Sequence, residues 1–156
     1  IFDVGCGSGR DSLYFIKRVY KVVSIDASEQ MVKLSSALTG QQTLLMKFEE
    51  VDFKDEFDGI WACASLLHVP KAEIKDVMKK LVRSLKRDGI FYMSYKYGEG
   101  EEFRGERLFN FYDESSLTNL IKEIKYLDVL ELWITNDVRP GRKAEKWINC
   151  LCSCRR

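Results

Sequence analysis

The chain has 156 residues, enough for one domain with a hydrophobic core, and its formal net charge is only +1. This balance favours neither a nucleic acid nor an anionic membrane as partner, and no apolar run is long enough to cross a bilayer. The five cysteines, an odd number without scaffold-like spacing, indicate a reducing, cytoplasmic compartment. We predict a single domain over residues 1–156 that lacks an N-terminal segment, since Ile1 already lies in an apparent strand.

The first half of the chain alternates predicted strands and helices. A first strand, IFDV, ends in a glycine-rich loop that a helix follows, and KVVSID is a continuous apolar strand of the buried kind. Ser28 can cap the next helix, in which Met31, Leu34 and Leu38 share a face. The third and fourth predicted strands are TLLMKF and FDGIWACA.

The second half continues the alternation. Pro70 starts a strongly amphipathic helix that the pair Asp88-Gly89 ends, and the next strand is GIFYMSY. Asp113 can cap a further helix, and two last strands are predicted around LDVLELWIT and EKWINCLCSC. Alternating strands and helices predict an α/β fold with a mostly parallel sheet and right-handed crossovers.

A glycine loop is the first candidate site. The stretch DVGCGSGRD, residues 3–11, places Gly5, Gly7 and Gly9 at the end of a strand where a helix begins. Ligands of such sheets bind at the carboxyl ends of the strands, and missing side chains let a ligand approach the backbone. The N–H groups of the helix start favour a carboxylate or phosphate. The alternative is a plain glycine turn.

Asp26, at the end of the second predicted strand, is the second landmark. An acid at this place in nucleotide sites accepts hydrogen bonds from two vicinal ribose hydroxyls and repels a ribose phosphate. The alternative is a turn residue that precedes a helix. Together with the glycine loop, Asp26 predicts a site for a ribose-containing cofactor.

The spacing of the glycines separates two cofactor classes. The nicotinamide fingerprint has glycine or alanine at its sixth position, where this chain has Arg10 and reads G-x-G-x-G. The chain resembles the class I S-adenosylmethionine-dependent methyltransferases, whose first motif is an acid followed by G-x-G-x-G. DVGCGSGRD matches that motif, and Asp26 matches the second motif. FDGIWACASLLHV matches the fourth-strand motif, and LKRDGIFYMSY matches the stretch that enters the fifth strand.

The resemblance covers essentially the whole chain and implies a fold and a cofactor. The fold is a Rossmann-like, doubly wound, mostly parallel seven-stranded sheet with the last strand antiparallel, in a three-layer sandwich. The cofactor is S-adenosyl-L-methionine, and the activity is methyl transfer to a small-molecule acceptor. Some relatives of similar organisation act on chalcogen oxyanions in tellurite resistance, and no residue here selects that chemistry.

The resemblance also implies roles for individual residues. Asp3 and the loop from Gly5 to Gly9 would hold the methionine portion, and Arg10 could assist its carboxylate. Lys47 stands where the family usually has an aspartate, so backbone groups near it are the candidates for the adenine amino group. The full set of predicted cofactor residues is Asp3, Gly5, Cys6, Gly7, Gly9, Arg10, Asp26, Ala27, Met31, Phe48, Glu49, Ala62 and Cys63.

Methyl transfer depends mainly on alignment, because the sulfonium is already electrophilic, and a base is needed only for a protonated nucleophile. His68 is the sole histidine, lies just past the fourth strand, and could act as that base near neutral pH. The alternative is a packing histidine at the entry to a helix. His68 is therefore the candidate catalytic residue.

Two irregular stretches, residues 95–112 and residues 135–147, are predicted to bind the acceptor. Both follow strands whose ends face the expected methyl group, and long loops are often functional. Arg139, before Pro140-Gly141, is the preferred residue for binding an anionic group. The candidate pocket for an anionic or aromatic molecule consists of Tyr95, Tyr97, Arg104, Tyr112, Arg139 and Arg142. The alternative for each residue is an ordinary solvated loop.

The remaining cysteines are interpreted as packing residues. Cys150, Cys152 and Cys154 alternate along one strand and share a face, and no C-x-x-C pair exists, so we predict no metal site. Two further functions stay open beside a methyltransferase. One is an NAD(P)-binding oxidoreductase, which Arg10 disfavours, and the other is a non-catalytic cofactor-binding module.

Overall fold

The structure, a computed structural model, describes all of residues 1–156 and contains nine strands and four α-helices. The chain also contains two short 3-10 turns, Phe48–Glu50 and Leu66–His68. In chain order the elements are β1 (Phe2–Val4), α1 (Arg10–Lys17), β2 (Val23–Asp26), α2 (Glu29–Thr39), β3 (Leu44–Leu45), β4 (Phe57–Ala62), α3 (Ile74–Ser84), β5 (Leu85–Tyr97), β6 (Glu101–Arg104), β7 (Arg107–Tyr112), α4 (Glu114–Lys122), β8 (Leu127–Asn136) and β9 (Lys146–Cys154).

Seven of the strands form the sheet that the resemblance implies. β3, β2, β1, β4 and β5 are neighbours in that order and all parallel, and β9 lies between β5 and β8, antiparallel to both. The prediction of a mostly parallel sheet with an antiparallel last strand is confirmed. The strand order reverses between β1 and β4, which places a ligand crevice at their carboxyl ends.

The stretch 95–112 is more regular than predicted. Residues 101–112 form a β6–β7 hairpin, and Gly105 in its turn has a φ of +65°. β7 continues alongside the end of β5 through the pairs Lys96 with Phe111 and Tyr97 with Tyr112. The prediction of an irregular loop was wrong because RLFNFY becomes a strand, with Asn110 and Tyr112 buried and Phe109 and Phe111 half-buried, only once it pairs with these strands.

The core lies on both faces of the central strands. Phe2, Val4, Ile25 and Phe91 are fully buried, and α3 adds a buried face. That helix begins at Ile74 and not at Pro70, and it ends at Ser84 because Leu85 already pairs with Phe57 of β4.

The predicted apolar face of α2 does not join this core. Leu34 and Leu38 are about half exposed (47% and 48%), whereas Ser35 next to Leu34 is fully buried. Ser35 faces the glycine loop, so α2 packs through a small polar residue.

The alternating cysteines of β9 behave as predicted. Cys150, Cys152 and Cys154 are fully buried, and the Sγ atoms of the first two lie 3.5 Å apart. No three side chains of His, Cys, Asp or Glu lie close enough together to hold a metal ion. None of the helices combines the length and the apolar composition that crossing a membrane needs.

Candidate active site

The glycine loop between β1 and α1 needs glycine for two reasons. Gly5 and Gly9 have φ values of +75° and +90°, which side chains rarely adopt. A Cβ atom at Gly5 would lie 2.5 Å from Cβ of Ser65, and one at Gly9 would lie 2.6 Å from Oγ of Ser35. A Cβ atom at Gly7 would meet nothing within 4 Å, so this residue borders open space.

Asp26 ties this loop to the following helix. Its Oδ2 accepts a hydrogen bond from the backbone N–H of Gly7, and its Oδ1 accepts one from the N–H of Ser28, both at 2.9 Å. An ionised carboxylate has about four lone-pair sites, so each oxygen keeps one for a further donor. Asp26 can therefore hold the loop and accept two hydroxyl groups at once.

A cleft of about 900 Å³ opens over these residues. Six of the predicted cofactor residues line it: Gly5, Gly7, Asp26, Ala27, Met31 and Phe48. The β6–β7 hairpin closes the other side with Phe103, Glu106, Arg107 and Leu108, none of which the sequence predicted there.

The other predicted cofactor residues lie elsewhere. Arg10 and Cys63 line a neighbouring cavity, and Ala62 is fully buried in β4. The remaining four do not line the cleft: Asp3, Cys6, Gly9 and Glu49.

Asp3 lies below the loop as a buried support. It is 2% exposed and accepts a hydrogen bond of 2.6 Å from Oγ of Ser12, which in turn contacts Oγ of Ser24 at 2.8 Å. Burial raises the pKa of the Asp3 carboxyl to about 7, although the Ser12 hydrogen bond opposes this shift.

Replacing Asp3 with asparagine is expected to flatten the pH dependence of stability. The pKa of Asp3 is about 7 in the folded protein and 3.8 as the ordinary value, so the folded state binds more protons between these values. Stability that this group contributes is therefore lost as pH rises through about 7. The free energy of unfolding that Asp3 contributes should fall by about 1.4 kcal/mol per pH unit, or about 2 kcal/mol between about pH 5.5 and 7. Asp3→Asn should not show this fall.

Urea unfolding across this pH range measures the effect. The exposed Glu131, replaced by glutamine, is the matched control and should change the slope much less than Asp3→Asn does. Parallel stability curves for Asp3→Asn and the unaltered protein would contradict the raised pKa.

A second cavity of about 630 Å³ adjoins the cleft, and Ala64, His68 and Arg107 line both. Aromatic rings form part of its wall: Tyr92, Phe109 and Trp147. Its charged lining consists of one acid, Asp137, and five cations: Arg10, Lys96, Arg107, Arg139 and Arg142.

A buried ion cluster supports the far wall of this second cavity. Lys96 and Asp137, both 2% exposed, lie 3.3 Å apart, and Nζ of Lys96 also donates to Glu145 at 2.7 Å. Arg139 places its guanidinium on Asp137, with Nε 2.9 Å from Oδ1. These hydrogen bonds, foremost that of Arg139, hold the pKa of Asp137 well below its usual range.

The structure brings only two of the six predicted acceptor residues, Arg139 and Arg142, to the second cavity. Tyr95 and Tyr112 are instead part of the core, at 0% and 4% exposure. Tyr97 donates its hydroxyl to Glu114, and Arg104 pairs with Glu145 at 3.0 Å. Sequence reasoning missed Lys96 and Asp137, although Asp137 stands two residues before Arg139.

His68 lies at the junction of the two cavities. Its Nδ1 is 2.8 Å from the carbonyl oxygen of Leu108, and its Nε2 is 2.8 Å from Nη2 of Arg107. Because a carbonyl only accepts, Nδ1 carries the proton and Nε2 accepts from Arg107. Burial lowers the pKa of His68, so its ring is neutral near pH 7.

Comparison with known families fits this arrangement of loop, acid and crevice. A family model described as a methyltransferase domain matches residues 2–93. The chain belongs to the class I S-adenosylmethionine-dependent methyltransferases.

Relatives of this methyltransferase domain agree in sequence and fold. It is 23% identical over 125 residues to an uncharacterized methyltransferase of Staphylococcus carnosus, and the matched region covers 80% of this chain and 60% of the relative. The chain thus spans about 40 to 60% of the length of the curated relatives it matches.

Solved structures share the fold at low identity. A methyltransferase of Methanosarcina mazei superposes with a TM-score of 0.86 at 18% identity, over 99% of this chain and 91% of that one. A second structure is the 1,6-didemethyltoxoflavin-N1-methyltransferase of Burkholderia thailandensis with bound 1,6-didemethyltoxoflavin and S-adenosylhomocysteine. It superposes with a TM-score of 0.82 at 19% identity, over 99% of this chain and 70% of that one.

The cleft of the methyltransferase domain fits S-adenosylmethionine chemically. Asp26 offers free lone pairs for two ribose hydroxyls, and the backbone at Gly7 is open to a ligand. Met31 and Phe48 provide apolar surface for the adenine. These residues are therefore the ones that would hold the cofactor.

Proposed function

We propose that this domain transfers the methyl group of S-adenosylmethionine to a small-molecule acceptor held in the second cavity. The observation that carries the proposal is the continuity of the two cavities through Ala64, His68 and Arg107. A cofactor in the cleft and an acceptor next to it would meet at this junction. The bound small molecule of the Burkholderia thailandensis relative supports an acceptor of this size.

The work of the chain in this reaction is alignment. When bound, S-adenosylmethionine supplies an electrophilic methyl group, and the protein must hold donor and acceptor in line while water is excluded. Asp26 fixes the ribose, and the β6–β7 hairpin covers the cleft with Phe103 and Leu108. His68 can take the proton of the nucleophile at Nε2 once that atom is free.

The wall of the second cavity indicates the character of the acceptor. Aromatic rings and an excess of cations favour an aromatic or anionic molecule. Arg139 stays a candidate for binding an anionic group, and Asp137 already occupies one edge of its guanidinium. We also propose a cytoplasmic location, which the five free cysteines support.

Ligand specificity separates this proposal from a nicotinamide-dependent oxidoreductase. S-adenosylhomocysteine at ten times its Kd is expected to raise the free energy of unfolding by about 1.4 kcal/mol, and Tm by about 3–6 °C. NADH should give no shift, because Arg10 stands where close packing over a pyrophosphate needs a small residue. A thermal melt with each ligand measures both values, and a shift with NADH alone would reverse the assignment.

Turnover separates the enzyme from a non-catalytic binding module. A screen of metabolites with a labelled methyl donor should transfer label to at least one small acceptor. A protein that binds S-adenosylhomocysteine but labels no metabolite would favour the binding module.

A further inference from the structure

Arg107 differs from every other cation of the second cavity. Four of the five cations pair with a carboxylate within 4.0 Å: Arg10 with Asp11, Lys96 with Asp137 and Glu145, Arg139 with Asp137, and Arg142 with Glu145. Arg107 forms no such ion pair. It is therefore the one cation of this wall that forms no ion pair, and its side chain is exposed.

The neighbours of Arg107, whose side chain is exposed, include a second cation and no acid that pairs with it. Arg107 lies directly opposite Arg104 in the β6–β7 hairpin, and like charges at opposed positions destabilise a strand pair. Arg104 forms ion pairs with Glu102 and Glu145. Arg107 makes only one side-chain hydrogen bond, to the neutral imidazole of His68. Its remaining N–H donors border both cavities.

That one hydrogen bond occupies the atom that a base would use. Nε2 of His68 holds the ring's free lone pair, and Arg107 donates to it at 2.8 Å. Leu108, the next residue of β7, accepts from Nδ1, so two consecutive residues of the hairpin engage both ring nitrogens. His68 cannot accept a proton at Nε2 while Arg107 donates to it.

We propose that Arg107 binds the anionic group of the methyl acceptor and, in moving to it, frees Nε2 of His68 to accept the proton of the nucleophile. This proposal rests on the proposed methyl transfer. A guanidinium gains two parallel charge-assisted hydrogen bonds from a carboxylate or similar oxyanion, and only one weaker bond from a neutral imidazole. An anionic acceptor can therefore displace His68 as the partner of Arg107.

The step balances without a further reactant. The bond between the methyl carbon and the sulfur breaks as the bond from the methyl carbon to the nucleophile forms, and the sulfur keeps the electron pair. The proton of the nucleophile goes to Nε2 of His68 and afterwards to solvent. A molecule without an anionic group leaves Arg107 on His68 and finds no base.

The charges around His68 define what a titration reports. Arg107 of β7 is the charged group in contact with the ring, and Phe109 packs edge-on against it at 4.8 Å. The other charged residues that line the two cavities are Arg10, Asp26, Lys96, Glu106, Asp137, Arg139 and Arg142. The contact with Arg107 contributes to the lowered pKa of His68, after burial.

The single histidine makes the test direct, because the imidazole ¹⁵N signals of the whole chain come from His68. The protein is loaded with S-adenosylhomocysteine and titrated with benzoate and inorganic phosphate as anionic probes, and with benzamide as the neutral counterpart. Benzoate or phosphate should raise the pKa of His68 and shift its Nε2 signal, and benzamide should do neither.

Arg107→Gln is the test variant, and Arg87→Gln, which removes an exposed arginine without an ion pair, is the matched control. Arg107→Gln should raise the pKa of His68 in the absence of any probe and weaken probe binding about tenfold or more. Arg87→Gln should match the unaltered protein in both measurements, and Arg107→Lys should rescue probe binding only in part.

Three results would overturn the proposal. The first is that neither anion shifts the Nε2 signal in the unaltered protein. The second is that the anions shift it equally in Arg107→Gln, and the third is that Arg107→Gln leaves the pKa of His68 unchanged. Calorimetry with S-adenosylhomocysteine distinguishes the two levels: absent binding overturns the proposed function as well, whereas normal binding with any of these results overturns the role of Arg107 alone.

Discussion

Replacing Asp26 with alanine is expected to weaken the binding of S-adenosylhomocysteine about 100-fold, with the fold retained. The change removes two charge-assisted hydrogen bonds to the ribose, each worth about 1.5 kcal/mol or more. It also removes the acceptor of the Gly7 and Ser28 N–H groups, so the loop that faces the cofactor loses its tie to α2. Titration calorimetry measures the affinity, and circular dichroism checks the fold.

Glu29→Ala is the control for the loss of a nearby negative charge. Glu29 lies in the first turn of α2, is exposed, and does not line the cleft. The affinity of the Glu29→Ala variant for S-adenosylhomocysteine should stay within about twofold of the affinity of the unaltered protein. An affinity for Asp26→Ala equal to that of the control would show that Asp26 serves only as a turn residue.

Replacing Gly9 with alanine is expected to lower the free energy of unfolding by about 3 kcal/mol or more. The residue has a φ of +90°, and its new Cβ atom would lie 2.6 Å from Oγ and 3.0 Å from Cα of Ser35. Backbone strain of about 1–3 kcal/mol and overpacking of a similar size add here, because the backbone of α2 cannot move aside freely. Urea unfolding measures the loss.

Gly40→Ala provides the comparison that isolates the clash. Gly40 has a φ of +70° at the end of α2, but a Cβ atom there would meet nothing within 4 Å. Its loss should therefore be only the cost of the left-handed conformation, about 1–2 kcal/mol. Equal losses for the two variants would contradict the tight packing between the glycine loop and Ser35.

The sheet and the cofactor cleft could be predicted because their signals are local. The glycines report a backbone conformation, Asp26 stands at a strand end, and both features occur at fixed distances along the chain. The apolar strands and the capped helices likewise follow from neighbouring residues. The number of strands and the antiparallel last strand came from the family resemblance, since pairing between distant strands leaves little trace in any one segment.

The second cavity could not be predicted because it depends on contacts between residues that are distant in sequence. Tyr95 ends the apolar strand GIFYMSY and Tyr112 ends the charged stretch 95–112, and pairing with β9 and with β5, respectively, buries them. Lys96 is tolerated in the interior only because Asp137 and Glu145, some 40 to 50 residues later, supply its counter-charges. No local pattern indicates such a cluster.

The hairpin β6–β7 joins the rest of the sheet through two residue pairs at the end of β5. Its turn side, residues 103–108, nevertheless lines the cleft and reaches the second cavity through Arg107, while the fully buried core residues come from other segments. The lining of the cavities and the buried core thus involve largely separate residues of this hairpin. We expect substitutions near the turn to reshape the rim of the cleft with little penalty to folding, so libraries that test the proposed acceptor site should include this segment.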